Sequence, residues 1–175
     1  MDLGESILHR RAPLFRPATP SDASAVSALL RRAFHDFEPL YTPEAFVATV
    51  QPESGILNRL QEGPLWVAAK EQSVIGTVSA VRSDDFVMVR GMAVAPEARG
   101  LRIGRALLNL TEDFAREHGV NRMLLYTTAF LLRAIHLYRS SGFEFTGEKT
   151  SPNGTELLCM EKILLRDAGN EVMEP

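Results

Sequence analysis

The stretch that most constrains the fold is residues 89–108, where an apolar strand pattern runs through a loop rich in arginine and glycine into an amphipathic helix pattern. The strand is expected to close at Pro96, and the helix to cover residues 103–118 with apolar residues at helical spacing. The loop N–H groups, together with the positive end of the helix dipole, form a site for a pyrophosphate. The sequence therefore predicts an anion-binding site in the loop that connects this strand to this helix.

Two glycines and three arginines of this loop suit such a ligand. Gly100 and Gly104 allow the main chain to approach the anion without an intervening Cβ, and Arg99, Arg102 and Arg105 add positive charge. The Gly-Lys-Ser/Thr ending of a P-loop is missing, and no Gly-x-Gly-x-x-Gly follows a first strand as in dinucleotide-binding folds. Taken alone, the loop is equally compatible with a surface turn.

The remaining pattern predicts an α/β (α+β) fold with a mixed, mostly antiparallel sheet and helices on both faces, in the order β-α-α-β-β-β-α-β-α-β-β. Proline after threonine marks the starts of two helices, at Pro20 and Pro43. Ile56, Leu57 and Leu60 predict one further helical turn. The strands are expected at residues 14–17, 65–70, 73–82, 86–94, 122–128, 144–150 and 156–164, and the last helix at 131–141.

Composition narrows the class of protein. A chain of 175 residues with 45% apolar and 23% charged residues suits one globular domain, expected at residues 13–165 between flexible ends at 1–12 and 166–175. A net charge of −3 without a basic stripe argues against nucleic acid as a partner. No apolar run approaches the roughly 18 residues of a membrane span, and no signal-peptide core is evident. A single cysteine favours a cytoplasmic location.

The stretch from Met92 to Ala106 resembles motif A of the GNAT acetyltransferases. In that motif the pattern Arg/Gln-x-x-Gly-x-Gly/Ala follows a strand that ends in Met-Ala-Val-x-Pro. Arg99 and Gly104 occupy its outer positions here, and Arg102 replaces its middle glycine. Because a long side chain can point to solvent while its N–H faces inward, the replacement is compatible with an intact site.

A second stretch strengthens the resemblance. Residues 134–143 are similar to motif B of the same family, Ala-x-x-Leu-Tyr-x-x-x-Gly-Phe, although Leu131 stands where an asparagine is frequent. The two motifs follow each other in the family's order of elements, which matches the predicted order over roughly residues 13–164. The chain is therefore identified as a member of the GNAT family.

The resemblance implies a cofactor site and its chemistry. It implies acetyl-CoA as co-substrate, no metal, and a cleft where the fourth and fifth strands splay apart. The amides of Met92 and Val94 would bind the pantetheine arm as an added strand does. The residues expected to contact the cofactor are Met92, Ala93, Val94, Arg99, Gly100, Leu101, Arg102, Ile103, Gly104, Arg105 and Ala106.

The resemblance also implies two catalytic groups. Tyr138 matches the general acid, since a phenol with a pKa of about 10 stays protonated at neutral pH; without the motif it would be interpreted as a core aromatic. The Val94 N–H matches the oxyanion donor. The general base stays open between a water relay and several groups that are more usually solvated surface residues. Those groups are His35, Asp36, Glu38, Asp84, Asp85 and Glu97.

Three functions are compatible with this sequence. The first is an N-acetyltransferase acting on the primary amine of a small molecule, the second a protein or peptide N-acetyltransferase, and the third a non-catalytic acyl-CoA-binding module. Residues 34–63 and the loop at 150–155 are expected to select the acceptor. Cys159 is expected to be inert core and His136 to lie at the surface. The resemblance further implies a homodimer through the late strands as one assembly.

Overall fold

Seven strands form one open sheet in the computed structural model, which describes residues 12–165. Their bounds are β1 at Leu14–Pro17, β2 at Leu65–Lys70, β3 at Ser73–Arg82, β4 at Val87–Val94, β5 at Arg122–Thr127, β6 at Glu144–Thr150 and β7 at Leu157–Ile163. They lie side by side in the order β1-β2-β3-β4-β5-β7-β6, and only β4 and β5 pair in parallel. The predicted mixed, mostly antiparallel α/β fold is confirmed. Of the predicted flexible ends, residues 1–11 and 166–175 lie outside the described part of the chain.

Helices connect and cover the strands. They are α1 at Ala23–Phe34, α2 at Pro43–Thr49, α3 at Glu53–Glu62, α4 at Ile103–Glu117 and α5 at Leu132–Ser140. Three of them precede β2, so the predicted order with two helices there is wrong in that detail. The expected single turn is a helix of 10 residues, because Pro52 acts as its N-cap and Ile56 is buried in the core.

Helices cover both faces of the central strands. The six residues from Ile75 to Ala80 in β3 are all buried, which requires apolar cover on both sides of the sheet. α4 packs on β2, β3 and β4, where a Cβ on Gly76 would lie 2.7 Å from Ile103; α1 packs on β3 and β4. No helix within residues 12–165 combines the length and the apolar character needed to cross a membrane.

The parallel pair β4–β5 separates after a short contact. Its register runs only from Val87 opposite Met123 to Val89 opposite Leu125. Just beyond, β4 carries an irregularity in its pairing with β3, and Gly91 there adopts the left-handed region with φ of 58°. A bulge of this kind bends the strand that contains it. The second half of β4 therefore leaves β5 and opens the cleft in the sheet that the family resemblance implied.

Candidate active site

A cleft of about 1100 Å³ lies where β4 and β5 separate. Met92 and Val94 line it, and neither pairs with a residue of β5. Ala95 donates its N–H to the carbonyl of Ile75 on β3 at 2.8 Å. Because successive N–H groups along a strand point to opposite sides, the N–H of Val94 points away from β3 and into the cleft. This strand edge can receive an extended chain that carries amide groups.

The N-terminus of α4 meets the same cleft without a side-chain cap. The N-cap is Arg102, and no side chain hydrogen-bonds there. Ala106 donates its N–H to the Arg102 carbonyl at 3.1 Å, whereas the N–H groups before it, those of Ile103 and Gly104 among them, have no acceptor inside the helix. These free donors and the helix dipole fit a phosphate group.

Arg102 adopts the left-handed conformation, with φ of 58° and ψ of 14°. This conformation disfavours a residue with a Cβ by about 1–2 kcal/mol and is easily reached by glycine. The main chain thus follows the path of a glycine at the position where motif A has one. The side chain of Arg102 is exposed at the border of the cleft, while its backbone keeps the shape of the loop.

The two other arginines of the loop are anchored to neighbouring helices. Arg99 donates a hydrogen bond to the carbonyl of Ala33 near the end of α1 at 3.3 Å, and Arg105 donates to the carbonyl of Ser140 at the end of α5 at 2.5 Å. A cation at a helix C-terminus stabilises the free carbonyls there. Both guanidinium groups therefore hold the two ends of the cleft together in addition to contributing charge.

Most of the residues expected to contact the cofactor lie along this cleft. Those that line it are Met92, Ala93, Val94, Arg99, Gly100, Arg102, Ile103, Gly104 and Arg105. Leu101 and Ala106 do not line it, and 57% of Leu101 is exposed to solvent.

The two glycines of the loop are needed for different reasons. Gly100 has φ of 84°, and a Cβ there would meet nothing within 4 Å, so its face of the loop is open. A Cβ on Gly104 would lie 2.7 Å from Leu137 on α5 and 3.2 Å from the methyl group of Met92. Glycine at 104 thus leaves room for the side chains of Leu137 and Met92, which line the cleft beside it.

Tyr138 lies at the inner end of the cleft and is 8% exposed. Burial and, to a smaller extent, the neighbouring Tyr41 together raise the pKa of its phenol to about 12. The ring packs edge to face on Phe143, with ring centroids 6.1 Å apart. Such a phenol keeps its proton at any ordinary pH, which suits a proton donor and excludes a general base at neutral pH.

A second cavity, of about 460 Å³, adjoins the first. Tyr138, Met92, Phe34 and Leu131 line both cavities. Both segments that the sequence predicted to select the acceptor contribute to its wall, together with residues of β4 and β5. From those two segments come Phe34, Tyr41, Ala45, Ala48, Thr49, Arg59, Pro152, Asn153 and Thr155. Two ligands bound in the two cavities would meet at Tyr138.

One wall of the second cavity is closed by contacts between distant parts of the chain. The N–H of Thr42, the N-cap of α2, donates to the hydroxyl of Thr155 at 2.9 Å. The hydroxyl of Thr42 donates to the carbonyl of Asn153. Gly154 has φ of 84°, and a Cβ there would lie 3.0 Å from the methyl group of Thr42. The loop between β6 and β7 is thereby held against the start of α2.

Two basic residues of the second cavity were missed by the sequence analysis. Arg59 on α3 and Arg90 on β4 are the charged side chains that line it within residues 12–165. Burial lowers the pKa of Arg59, the like charge of Arg90 lowers it further, and Glu62 raises it. The sequence did contain a signal for Arg59. It follows the apolar Ile56 by three residues on a predicted helical turn, which places its side chain on the face of the helix that packs against the core.

None of the candidate general bases lines either cavity. All are exposed, and three of them make surface contacts: the His35 ring lies 3.8 Å from the Glu38 carboxylate, and Glu97 forms an ion pair with Arg32 at 3.3 Å. The groups concerned are His35, Asp36, Glu38, Asp84, Asp85 and Glu97. Of the general bases considered, a water molecule is thus the one that has access to the two cavities.

Cys159 is buried in β7 and lines neither cavity, so it lies apart from this centre. His136 is exposed on α5, as expected, and lines the larger cleft. Within residues 12–165 no three His, Cys, Asp or Glu side chains are grouped so that they could hold a metal ion.

The chain belongs to the acetyltransferase (GNAT) family, whose model matches residues 25–143. The predicted family is thereby confirmed. Among sequence relatives, human N-acetyltransferase 8B is 37% identical over 89 residues, which cover 47% of this chain and 39% of that protein. The chain therefore spans about two fifths of the length of that relative.

Solved structures agree with this assignment along nearly the whole domain. A ribosomal-protein-alanine N-acetyltransferase from Brucella melitensis is 30% identical, with a TM-score of 0.68 over 86% of this chain and 99% of that one. A PaiA N-acetyltransferase from Thermoplasma acidophilum, solved in complex with coenzyme A, has a TM-score of 0.74 over 87% of this chain and 99% of that one. It is 16% identical, so its likeness concerns the fold.

Proposed function

We propose that this protein is an acetyl-CoA-dependent N-acetyltransferase that acts on the primary amine of a small molecule. The observation that carries the proposal is the junction of the two cavities at Tyr138 and Met92. The larger cavity has the free strand edge and the free helix N-terminus that suit pantetheine and pyrophosphate. The smaller one, at about 460 Å³, is within the size range of small-ligand pockets.

The proposed reaction is direct transfer between the two ligands. The neutral amine nitrogen forms a bond to the thioester carbonyl carbon, the carbon–sulfur bond breaks, and the sulfur leaves as a thiolate. The Val94 N–H, which points into the cleft, stabilises the negative charge that develops on the carbonyl oxygen. Tyr138 gives its phenolic proton to the thiolate. The attacking nitrogen, which carries one proton more than the amide product needs, releases that proton to water.

The single cysteine of the chain also supports a cytoplasmic location. Cys159 is a free thiol buried in β7, and free thiols persist in reducing compartments.

A protein or peptide acceptor is the alternative that a neighbour's activity suggests, since the Brucella protein is a ribosomal-protein-alanine N-acetyltransferase.

A substrate screen with a single variant tests the proposal. Turnover of acetyl-CoA is measured with amino acids, simple amines, polyamines and peptides that begin with alanine. We expect a small amine to be acetylated, and Tyr138→Phe to lower kcat about 100-fold while the affinity for CoA, measured by calorimetry, is retained. A preference for peptides would select the alternative. Tight CoA binding without turnover of any acceptor would indicate a non-catalytic acyl-CoA-binding module.

A further inference from the structure

The second cavity carries an unbalanced positive charge beside the proposed catalytic tyrosine. Its charged lining residues within the described chain are Arg59 and Arg90, and no carboxylate lines it. The one acid close to them is Glu62, which forms an ion pair with Arg90. Two guanidinium groups and one carboxylate leave a net charge of +1 at the cavity wall.

The fold makes a specific place for the guanidinium of Arg59. Gly91 interrupts β4 with φ of 58°, and a Cβ at that position would overlap Nη1 of Arg59. The missing side chain thus provides the space into which the arginine of α3 extends. Arg59 is half-buried beside the like charge of Arg90, and Glu62, which attracts Arg59, is ion-paired with Arg90. Taking a charge out of water is unfavourable unless it is well paired, so this arrangement favours an anion in the cavity.

Hydrogen-bond donors beside Arg59 also lack acceptors. Nε of Arg90 is buried without a partner, although its other end pairs with Glu62. The hydroxyl of Thr127, at the end of β5, is buried without a partner as well. Buried polar groups are nearly always hydrogen-bonded in native structures. Arg90 and Thr127 both belong to the lining of one cavity, and their unpartnered atoms lie just beneath its surface.

We propose that the acceptor carries a carboxylate next to its amine, and that Arg59, with the added positive charge of Arg90, binds that carboxylate. A free amino acid, or an amino acid with a modified side chain, has this combination of groups. The inference rests on the proposed function, whose amine would lie at the Tyr138 end of the same cavity. Arg59 is then a residue that determines specificity.

The charge of the cavity accounts for two further properties. In a free amino acid the negative carboxylate stabilises the neighbouring ammonium group. When a guanidinium binds the carboxylate, this stabilisation is lost, so the pKa of the amine falls and the amine loses its proton more readily. This effect reduces the demand on a general base in a cavity that no acid lines. A polyamine is repelled by the same charge, and the N-terminal residue of a protein lacks a free carboxylate beside its amine. Both are therefore poor acceptors.

Matched acceptors test the inference. L-Leucine, L-leucinamide and 3-methylbutylamine share one side chain and one amine and differ in the carboxylate. We expect kcat/KM for leucine to exceed the values for the other two roughly 10- to 100-fold, the range for a hydrogen-bonded charged group. L-Methionine and its amide form a second pair in case leucine does not fit. Equal rates for acid and amide in both pairs would overturn the proposal.

Variants connect the preference to Arg59. Arg59→Gln is expected to remove the advantage of the acid mainly through KM and leave the amide unaffected, and Arg59→Lys to restore part of it. Arg31→Gln, at an exposed position of α1, is the control and keeps the preference. Melting temperatures establish that each variant is folded. An acid preference that survives Arg59→Gln in the folded protein would assign the carboxylate to another site.

A binding measurement separates failure of this inference from failure of the proposed function. Calorimetry with leucine and methionine, in the presence of CoA, compares the wild-type protein with Arg59→Gln. If no acceptor is acetylated but an amino acid binds the wild type and not the variant, the carboxylate site stands and the catalytic proposal fails. If neither amino acid binds the wild type, the carboxylate site itself is refuted.

Discussion

The left-handed conformation of Arg102 leads to a prediction with a definite sign. Replacing this arginine by glycine removes a Cβ from a position with φ of 58°, which relieves about 1–2 kcal/mol. Glycine also gains about 0.4–1 kcal/mol of conformational freedom in the unfolded chain, which opposes the relief. With both effects near the middle of their ranges, the difference leaves Arg102→Gly more stable than the wild type by about 0.5–1 kcal/mol.

This stability gain is measurable in two ways. For a domain of this size a change of 1 kcal/mol shifts Tm by about 2–4 °C, so we expect a rise of about 1–4 °C. With an m-value of about 2 kcal/mol/M in urea, the midpoint of unfolding should rise by about 0.3–0.5 M. Both measurements are made without CoA, so that ligand binding does not add to the stability.

Comparison with alanine isolates the backbone effect from the lost charge. Arg102→Ala removes the same guanidinium but keeps the Cβ, so it should be less stable than Arg102→Gly. At exposed Arg31 inside α1 the order should reverse, because glycine is about 1 kcal/mol worse than alanine in a helix. If glycine is the less stable replacement at both positions, then Arg102 is not strained and the argument fails.

Three further perturbations follow from the described contacts. Gly104→Val would place methyl groups against Leu137, and we expect calorimetry to show CoA affinity lowered about 10-fold or more in a folded protein; unchanged affinity would contradict this. Hydrogen bonding to Arg16 holds the pKa of Asp22 well below its usual range. The stability it adds is thus present above about pH 3.9 and lost as the pH falls through the lower folded value, so Asp22→Asn should weaken the acid dependence of urea unfolding. The pKa of Tyr138 is raised to about 12, so its phenol should stay protonated up to about pH 10. Any fall of kcat below that pH should therefore occur in Tyr138→Phe as well as in the wild type.

Local patterns were sufficient to predict most of the fold. The strands at 73–82 and 144–150 were predicted with the bounds that the structure has, because alternation, turn residues and glycine stops are local signals. The third helix was underestimated as one further turn. Its N-cap is Pro52, and the packing of Ile56 against the core, which holds the helix in place, is not a local signal.

The cofactor cleft could be predicted further than the acceptor cavity. The cleft is formed by one continuous stretch of sequence, so its residues carry their own pattern. The acceptor cavity depends on contacts between distant segments, such as Arg59 on α3 against Gly91 on β4. A glycine in a strand indicates a bulge or a close approach, but it does not name the residue that approaches. The closeness of Gly104 to Leu137 on α5 was not predicted, for the same reason.

Met92 and Tyr138 belong to the walls of both cavities, and this shared boundary links the two binding equilibria. If a ligand in the cleft moves either side chain, it changes the affinity of the acceptor, and thermodynamic reciprocity then requires the acceptor to change the affinity of the first ligand by the same factor. In that case the two ligands bind with positive or negative cooperativity in one ternary complex. Affinities measured for one ligand alone will differ from those in the presence of the other, and the sign of that difference reports whether the boundary opens or closes.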